Sequence, residues 1–236
     1  MLKLKALLLT QGMHGMISQV EGLANALGLN FKHEKVQLKN IWNLVPAKFT
    51  PVFDGILEKK FICDSKVIIS CGAWSNEIIY NSFGIKFPTR PLKGISLTLK
   101  APLIKFNHNL WFRNIYIAQR DNGILAVGAT EEEKGFDNSV RMDELFFLTN
   151  SLWESLPKLE DISLNEIKVG LRPAVFDGNP IIGPLEEVSQ DIICNFGHYR
   201  NGILLAPITS QIISQYILEE NITKEYKFFS PKRFNL

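Results

Sequence analysis

Ile192-Ile193-Cys194-Asn195-Phe196-Gly197-His198-Tyr199-Arg200-Asn201-Gly202-Ile203-Leu204 reads as a buried strand, a glycine-bounded loop and the start of a helix. The apolar run at 192–196 suits a strand, and the helix is expected over 203–218. A glycine-rich helix start exposes backbone N–H groups at the positive end of the helix, a natural cradle for a polarised ligand. Such helix starts are common, so the loop alone names no ligand.

Working outward, two arginines stand out. Arg200 lies in that loop. Arg172 follows a strand expected over 162–169 and sits between Gly170 and Pro173 in a stretch punctuated by glycine and proline, residues 170–183. In apolar surroundings a guanidinium offers a rigid two-pronged fork for a carboxylate, and low dielectric strengthens the pairing. The other reading of each is a partnered core arginine or a surface one, because charged residues are rarely buried unpaired.

Further upstream the texture is that of an antiparallel sheet. Residues 94–99, 111–118 and 124–129 alternate apolar and polar positions. Asp121-Asn122-Gly123 is a turn between the last two. A helix is expected from the neighbourhood of Ser139 and Asp143 to about Leu156, stopped by Pro157. Residues 65–70 form a short apolar strand of the kind buried on both faces of a parallel sheet. It leads through Cys71-Gly72-Ala73-Trp74-Ser75-Asn76 into a short helix. At the front, residues 5–10 (strand), Gln11-Gly12-Met13-His14-Gly15 (loop), 16–27 (helix) and 35–38 (strand) make the opening unit of many nucleotide-binding folds. Residues 41–60, with Trp42, Pro46 and Pro51, read as an irregular connector.

The 236 residues are 46% hydrophobic with a net charge of +2, enough to bury a core in one large domain or two small ones. No Lys/Arg cluster is flanked by stacking aromatics, so nothing calls for nucleic acid. Lys227, Lys232 and Arg233 read as a solvated tail. Cys63, Cys71 and Cys194 are too few and too scattered for a disulfide framework or a zinc site, and no metal is expected. No apolar stretch approaches the roughly 20 residues of a membrane span. No secretory signal is evident in the opening residues, which lack a small-residue cleavage site. The expectation is a soluble cytoplasmic protein.

Four blocks carry a resemblance. They are Gly72-Ala73-Trp74-Ser75, the stretch 116–130 ending in Gly128-Ala129-Thr130, the stretch 170–183 with Gly170-Leu171-Arg172-Pro173, and 197–207. With the tail Phe229-Ser230-Pro231-Lys232-Arg233-Phe234, residues 67–236 resemble the FAD-dependent glycine oxidase/D-amino-acid oxidase family, nearest to the bacterial glycine oxidases of thiamine biosynthesis. That resemblance implies FAD as cofactor and a small amino acid or amine as substrate. It implies oxidative deamination by hydride transfer to the flavin, with no protein base obligatory. It places Arg172 on the substrate carboxylate, Arg200 at the frame of the site, and Tyr116 and Glu131 at the pocket wall. Relatives often carry an apolar residue at the position of Glu131. Gly197, His198, Asn201, Gly202 and Ile203, with Gly72 and Trp74, would contact the flavin. His198 is read as held by its loop, not as a proton shuttle.

The front end departs from that pattern. The dinucleotide fingerprint Gly-x-Gly-x-x-Gly is reduced to Gly12 and Gly15, and no acid ends the strand expected at 36–38. Residues 2–52, above all Gly12-Met13-His14-Gly15, resemble bacterial proteins related to the plant mitochondrial-fission ELM group, which implies a fusion with a junction between Val52 and Ala73. His14 could meet a phosphate or sugar, or cap the loop.

The expected fold class is α/β (α+β), a truncated Rossmann-like parallel sheet plus an antiparallel-sheet substrate domain. Residues 1–60 would be a βαβ fragment, 61–90 with 170–236 the FAD-domain portion, and 91–169 the substrate-binding domain. Besides the oxidase, a non-catalytic carboxylate-binding module or inactive remnant and a nucleotide-sugar-type protein remain as alternatives. Uncovered strand edges in a truncated sheet predict a homo-oligomer or limited stability alone.

Overall fold

Periodicity decides most elements of the fold, and pairing decides where they end. The computed structural model describes residues 5–10, 21, 24–25, 28, 30–35, 66–120, 123–159, 162–218 and 221–235. The loop at 11–15 with His14, the connector at 41–60, Cys63, the fusion interval up to residue 65 and the turn residues 121–122 lie outside these. The chain divides into two units, Met1–Thr89 with Pro173–Leu236, and Arg90–Arg172.

In the first unit, β1 (Lys5–Thr10) and β2 (Asn30–Lys35) pair in parallel, Lys5 opposite Asn30 and Thr10 opposite Lys35. Between them Glu21, Ala24 and Asn25 are helical, and Ala24 is buried. The second strand thus begins five residues before the expected 35–38. Gly28, at φ 62, turns the chain out of the helix, and the ladder with all six residues of β1 fixes the register from Asn30.

A separate sheet in this unit has the order β3-β10-β9, with β3 at Val67–Ile69, β9 at Ile181–Leu185 and β10 at Ser189–Phe196. β10 runs parallel to β3 and antiparallel to β9. β3 is not buried on both faces as expected, because among the described residues it is an edge strand and Val67 is 40% exposed. The inner pair is covered on both sides. Ile69, Ile79, Phe87, Val175, Ile181, Leu185, Cys194 and Phe196 form one cluster. Ile182 and Ile193 pack on the other face with Ile212 and Ile213 of α3 (Gly202–Ile217). After β3 a 3-10 turn (Gly72–Trp74) feeds α1 (Ser75–Phe83), which ends at Gly84 in the left-handed conformation, φ 75.

Of the three basic residues expected in a solvated tail, Lys227 and Lys232 are exposed and Arg233 is not. Two 3-10 turns, Lys224–Phe229 and Pro231–Phe234, pack against β9. Arg233 is largely buried, and its guanidinium pairs with Asp177 and donates to the carbonyls of Asn179 and Phe229.

The second unit holds an antiparallel sheet of order β5-β6-β7-β4-β8. Its strands are β4 (Thr89–Lys100), β5 (Leu110–Trp111), β6 (Tyr116–Arg120), β7 (Ile124–Gly128) and β8 (Ser163–Val175). The run expected as one strand over 111–118 is two, because the N–H of Phe112 donates to the carbonyl of Ile115 at 2.8 Å and folds the chain back on itself. β8 outruns the expected 162–169 and carries Arg172 and Pro173 inside the strand. Pro173 has no N–H to offer, and among the described residues β8 is an edge strand, where such a residue is tolerated. One sheet face, with Ile95, Leu97, Leu99, Ile117, Leu125 and Val127, is buried with Leu148 and Leu152 of α2 (Met142–Ser155). The fold class is thus mixed α/β, with parallel pairing in the first unit and an antiparallel sheet in the second.

Candidate functional site

In the first unit the expected ligand-facing residues gather at one end of the β3-β10-β9 sheet. β3 and β10 are parallel, so residues 70–74 and 197–201 leave from the same end, the C-terminal end where open α/β sheets bind ligands. The amide of Asn195 donates to Ser70 Oγ at 2.9 Å and ties the two strand ends together. Gly72 adopts φ 58 and opens the turn that carries Trp74, itself 38% exposed.

The loop after β10 is held tightly. Gly197 has φ 85, and a Cβ there would lie 2.5 Å from Val175 Cγ2. Tyr199 also takes a positive φ of 52, and its N–H donates to the carbonyl of Pro173 at 2.8 Å. His198 Nε2 lies 3.1 Å from Thr209 Oγ1, which clips the loop to α3. Burial pushes the His198 imidazole down to about 4, so it is neutral at physiological pH. Arg200 is exposed, with its guanidinium carbon 5.5 Å from the centre of the Tyr199 ring. Asn201 precedes α3 without a side-chain cap, and Ile203 and Leu204 in the first turn are 92% and 78% exposed. An uncapped helix start with apolar side chains beside it offers N–H groups to partial negative charge and an apolar surface to a flat ring.

In the second unit, the sheet face opposite α2 carries Arg172. Its guanidinium lies on Gly94 of β4, where a Cβ would fall inside it. Nη1 donates to the carbonyl of Thr130 at 3.1 Å, the only hydrogen bond of this side chain among the described residues. A half-buried guanidinium with five N–H donors and one such bond has donors to spare for an anion. Tyr116, paired with Gly128 across β6 and β7, lays its phenol on that glycine, whose Cβ would meet the Tyr116 hydroxyl at 2.8 Å. Ser96 is the β4 partner of Gly128, and Gly94 is two residues before it on the same face. Glu131 is exposed, and alternation from the Lys93–Glu132 bridge puts it on the face of Gly94.

Gly94 was not singled out in the sequence, and Gly128 and Thr130 entered only as members of a matched block, with no role at the site. Glycine inside a strand is the signal that could have found the first two, since it marks a close approach by another group. The acid thought missing from the second strand is also present. With β2 at Asn30–Lys35, Glu34 stands one residue from the C-terminal end of that strand.

Residues 21–216 match the family described as DAO, FAD dependent oxidoreductase. The hydrogen cyanide synthase subunit HcnC of Pseudomonas protegens (strain CHA0) is 34% identical over 169 residues, covering 71% of this chain and 40% of its own. The glycine oxidase of Pseudomonas putida KT2440 is 32% identical over 164 residues, covering 70% of this chain and 43% of its own. Among solved structures, the glycine oxidase of Geobacillus kaustophilus superposes with a TM-score of 0.70 at 23% identity, over 85% of this chain and 53% of that one. This chain therefore spans less than half the length of these curated relatives. The family match begins upstream of the interval 52–73, and the resemblance of residues 2–52 to the fission-protein group rests on the sequence motif alone. No helix among the described residues is long and apolar enough to cross a membrane. With the match running over most of its length, this chain belongs to the DAO family of FAD dependent oxidoreductases.

Proposed function

We propose that the protein is an FAD-dependent oxidoreductase of the glycine/D-amino-acid oxidase type that deaminates a small amino acid or amine. The observation that carries the reading is Arg172, held flat on Gly94 with a single hydrogen bond to Thr130 among the described residues and donors left over on the sheet face opposite α2. That arrangement suits a carboxylate, which the fork can take with two parallel bonds. Tyr116 on Gly128 and Glu131 on the face of Gly94 would line the same substrate region. Glu131 adds negative charge, which favours a substrate with a second cationic group.

The chain's residues fit a flavin in the first unit. Gly197, Asn201, Gly202 and Ile203 offer a tight loop, an uncapped helix start and an apolar surface to the ring. His198 fixes that loop through Thr209, and Gly72 and Trp74 leave the sheet at the same end. Arg200 would frame the site from the loop. FAD, when bound, supplies the acceptor for the hydride that leaves the α-carbon. The residues themselves orient and hold charge, and His198, neutral at physiological pH, is not an imidazolium acid.

The test is direct. Purified protein is mixed with FAD, freed of excess and examined by its visible spectrum. A retained flavin band, bleached without oxygen by glycine or a D-amino acid, is the expected result. A folded protein that retains no flavin but still binds a carboxylate through Arg172 would make it a carboxylate-binding module instead.

A further inference from the structure

Behind the arginine site lies a cluster of buried charges. Lys93 of β4 is fully buried, and its Nζ lies 2.7 and 3.0 Å from the two carboxylate oxygens of Glu144 and 3.6 Å from Asp137. Glu144 is 3% exposed and also accepts the N–H of Arg141 at 2.8 Å, at the start of α2. Glu132 pairs with Lys93 through the backbone, and burial together with Glu144 raises its carboxyl above the ordinary glutamate value.

The same residues stitch two backbone segments together. Lys93 and Glu132 exchange N–H to carbonyl bonds, both at 2.9 Å. Thr130 donates its N–H to the carbonyl of Ile95 at 3.2 Å, and Ile95 returns a bond to Thr130 Oγ1 at 2.8 Å. Between these anchors Gly94 supports Arg172 from below, and the Thr130 carbonyl accepts its Nη1. A buried ion pair adds little net stability over an apolar substitute. It does discriminate register, because a one-residue slip of β4 would turn Lys93 away from Glu144 of α2. A slip of one residue would turn Gly94 to the other face.

We propose that Lys93, Glu144 and Glu132 are positioning residues for the arginine site, fixing the register beneath Arg172 and so the orientation in which it meets a carboxylate. This rests on the reading of Arg172 as the carboxylate-holding residue. The cluster also responds to pH. Lys93 faces it from β4, Glu132 and Lys134 from the segment after β7, Asp137 from the following loop and Glu144 from α2. Burial, then Glu144, push the Glu132 carboxyl above the ordinary glutamate value. Against the cost of burial, Lys93 and the Arg141 N–H hold Glu144 below it. Glu132 is therefore the carboxyl of the pair that binds a proton first as pH falls. Its ionisation as pH rises sets Glu132 against Glu144 and loosens the stitch.

The experiment is calorimetric titration of the full chain with glycolate across a pH series from about 5 to about 9, starting above the ordinary carboxylate range. Arg172→Lys is expected to weaken binding about tenfold or more throughout, from loss of the two-pronged fork. Wild type weakens as pH rises through the Glu132 ionisation, and Glu132→Gln, which keeps the shape of the protonated acid, lacks that step. Lys93→Met/Glu144→Leu, checked for a cooperative thermal transition, weakens binding across the series. If Arg172→Lys weakens binding while Glu132→Gln and the double variant both track wild type, the positioning role is overturned and the arginine reading survives. Unchanged binding in Arg172→Lys overturns both. Should the double variant fail to fold, the pH behaviour of Glu132→Gln decides.

Discussion

Arg233 and Asp177, 56 residues apart in the chain, form a two-point ion pair, Nε to Oδ2 at 2.7 Å and Nη2 to Oδ1 at 3.3 Å. The guanidinium also donates to the carbonyls of Asn179 and Phe229 and lies 4.2 Å from the centre of the Phe234 ring. The chain end thereby clamps the turn between β8 and β9. Arg233→Leu should destabilise the protein by about 1–2 kcal/mol, a charged hydrogen-bond loss discounted for the partial exposure of Asp177. Against the cost of burial, Arg233 and the Asn179 N–H hold the Asp177 carboxyl below its ordinary value of 3.8. A depressed carboxylate contributes stability above that value and loses it as pH falls through the folded one. The gap in Tm between wild type and variant should close on acidification, and a gap that persists in strong acid would contradict the pair.

Gly197 is the position where a single methyl group should do most harm to the loop before α3. Its φ of 85 and the 2.5 Å approach of Val175 Cγ2 both exclude a Cβ. Gly197→Ala should cost about 1–3 kcal/mol in urea unfolding, the range for a residue forced into a sparsely populated conformation. It should also weaken FAD retention more than Gly72→Ala does, because nothing lies within 4 Å of a Cβ at Gly72. Equal losses in the two variants would place the loop away from the cofactor.

How far the sequence could be read follows from what each element depends on. α2 and α3 were legible from apolar content, Pro157 and the glycine-bounded loop, signals carried within a few residues. β7 was legible from alternation. The break in the run 111–118 was hidden because Phe112 and Ile115 are both apolar, and only their backbone bond shows the turn. The start of β2 depends on pairing with β1, so Glu34 escaped notice as a strand-end acid. Arg172 and the loop at 197–202 stood out by chemistry. Their supports did not, since Lys93 meets Glu144 across 51 residues and Arg233 meets Asp177 across 56. Pairings at that range leave no local pattern.

The neutral state of His198 is testable by itself. Burial holds its imidazole down to about 4 against an ordinary 6.5. The unfolded chain therefore binds a proton over that window and the folded chain does not, so stability falls as pH drops from 6.5 towards 4. The His198 ring resonances should stay flat through the ordinary histidine value of 6.5 and move only as pH nears about 4 in an NMR titration. His198→Gln, which can still bond Thr209, should remove that part of the acid sensitivity. A ring that titrates at the ordinary histidine value would show it to be solvated.

Gly94→Ala separates support of the arginine from stability of the sheet. The backbone of Gly94 is not in the left-handed region, so alanine brings no strain of its own, but its Cβ falls inside the Arg172 guanidinium. Glycolate affinity should drop about tenfold, equivalent to about 1.4 kcal/mol, with Tm changed by only a few degrees. Unchanged affinity would mean that Arg172 does not need this seat.

The buried pair of Lys93 and Glu144 predicts a non-additive stability cycle. Lys93→Met leaves Glu144 buried without its cation, and Glu144→Leu strands the lysine, so each should cost about 3–5 kcal/mol. Lys93→Met/Glu144→Leu removes both charges together. It should cost less than either single change, apart from about 1 kcal/mol for the lost acceptor of the Arg141 N–H at the start of α2. Glu132 sharpens the expectation, because its raised carboxyl favours the folded state at low pH and loses that contribution as pH rises through the folded value. Lys93→Met should deepen the alkaline loss, since the cation that tempers the carboxylates is gone. Additive single changes, measured by urea unfolding, would mean that the two charges do not feel each other and that the 2.7 Å contact carries no coupling.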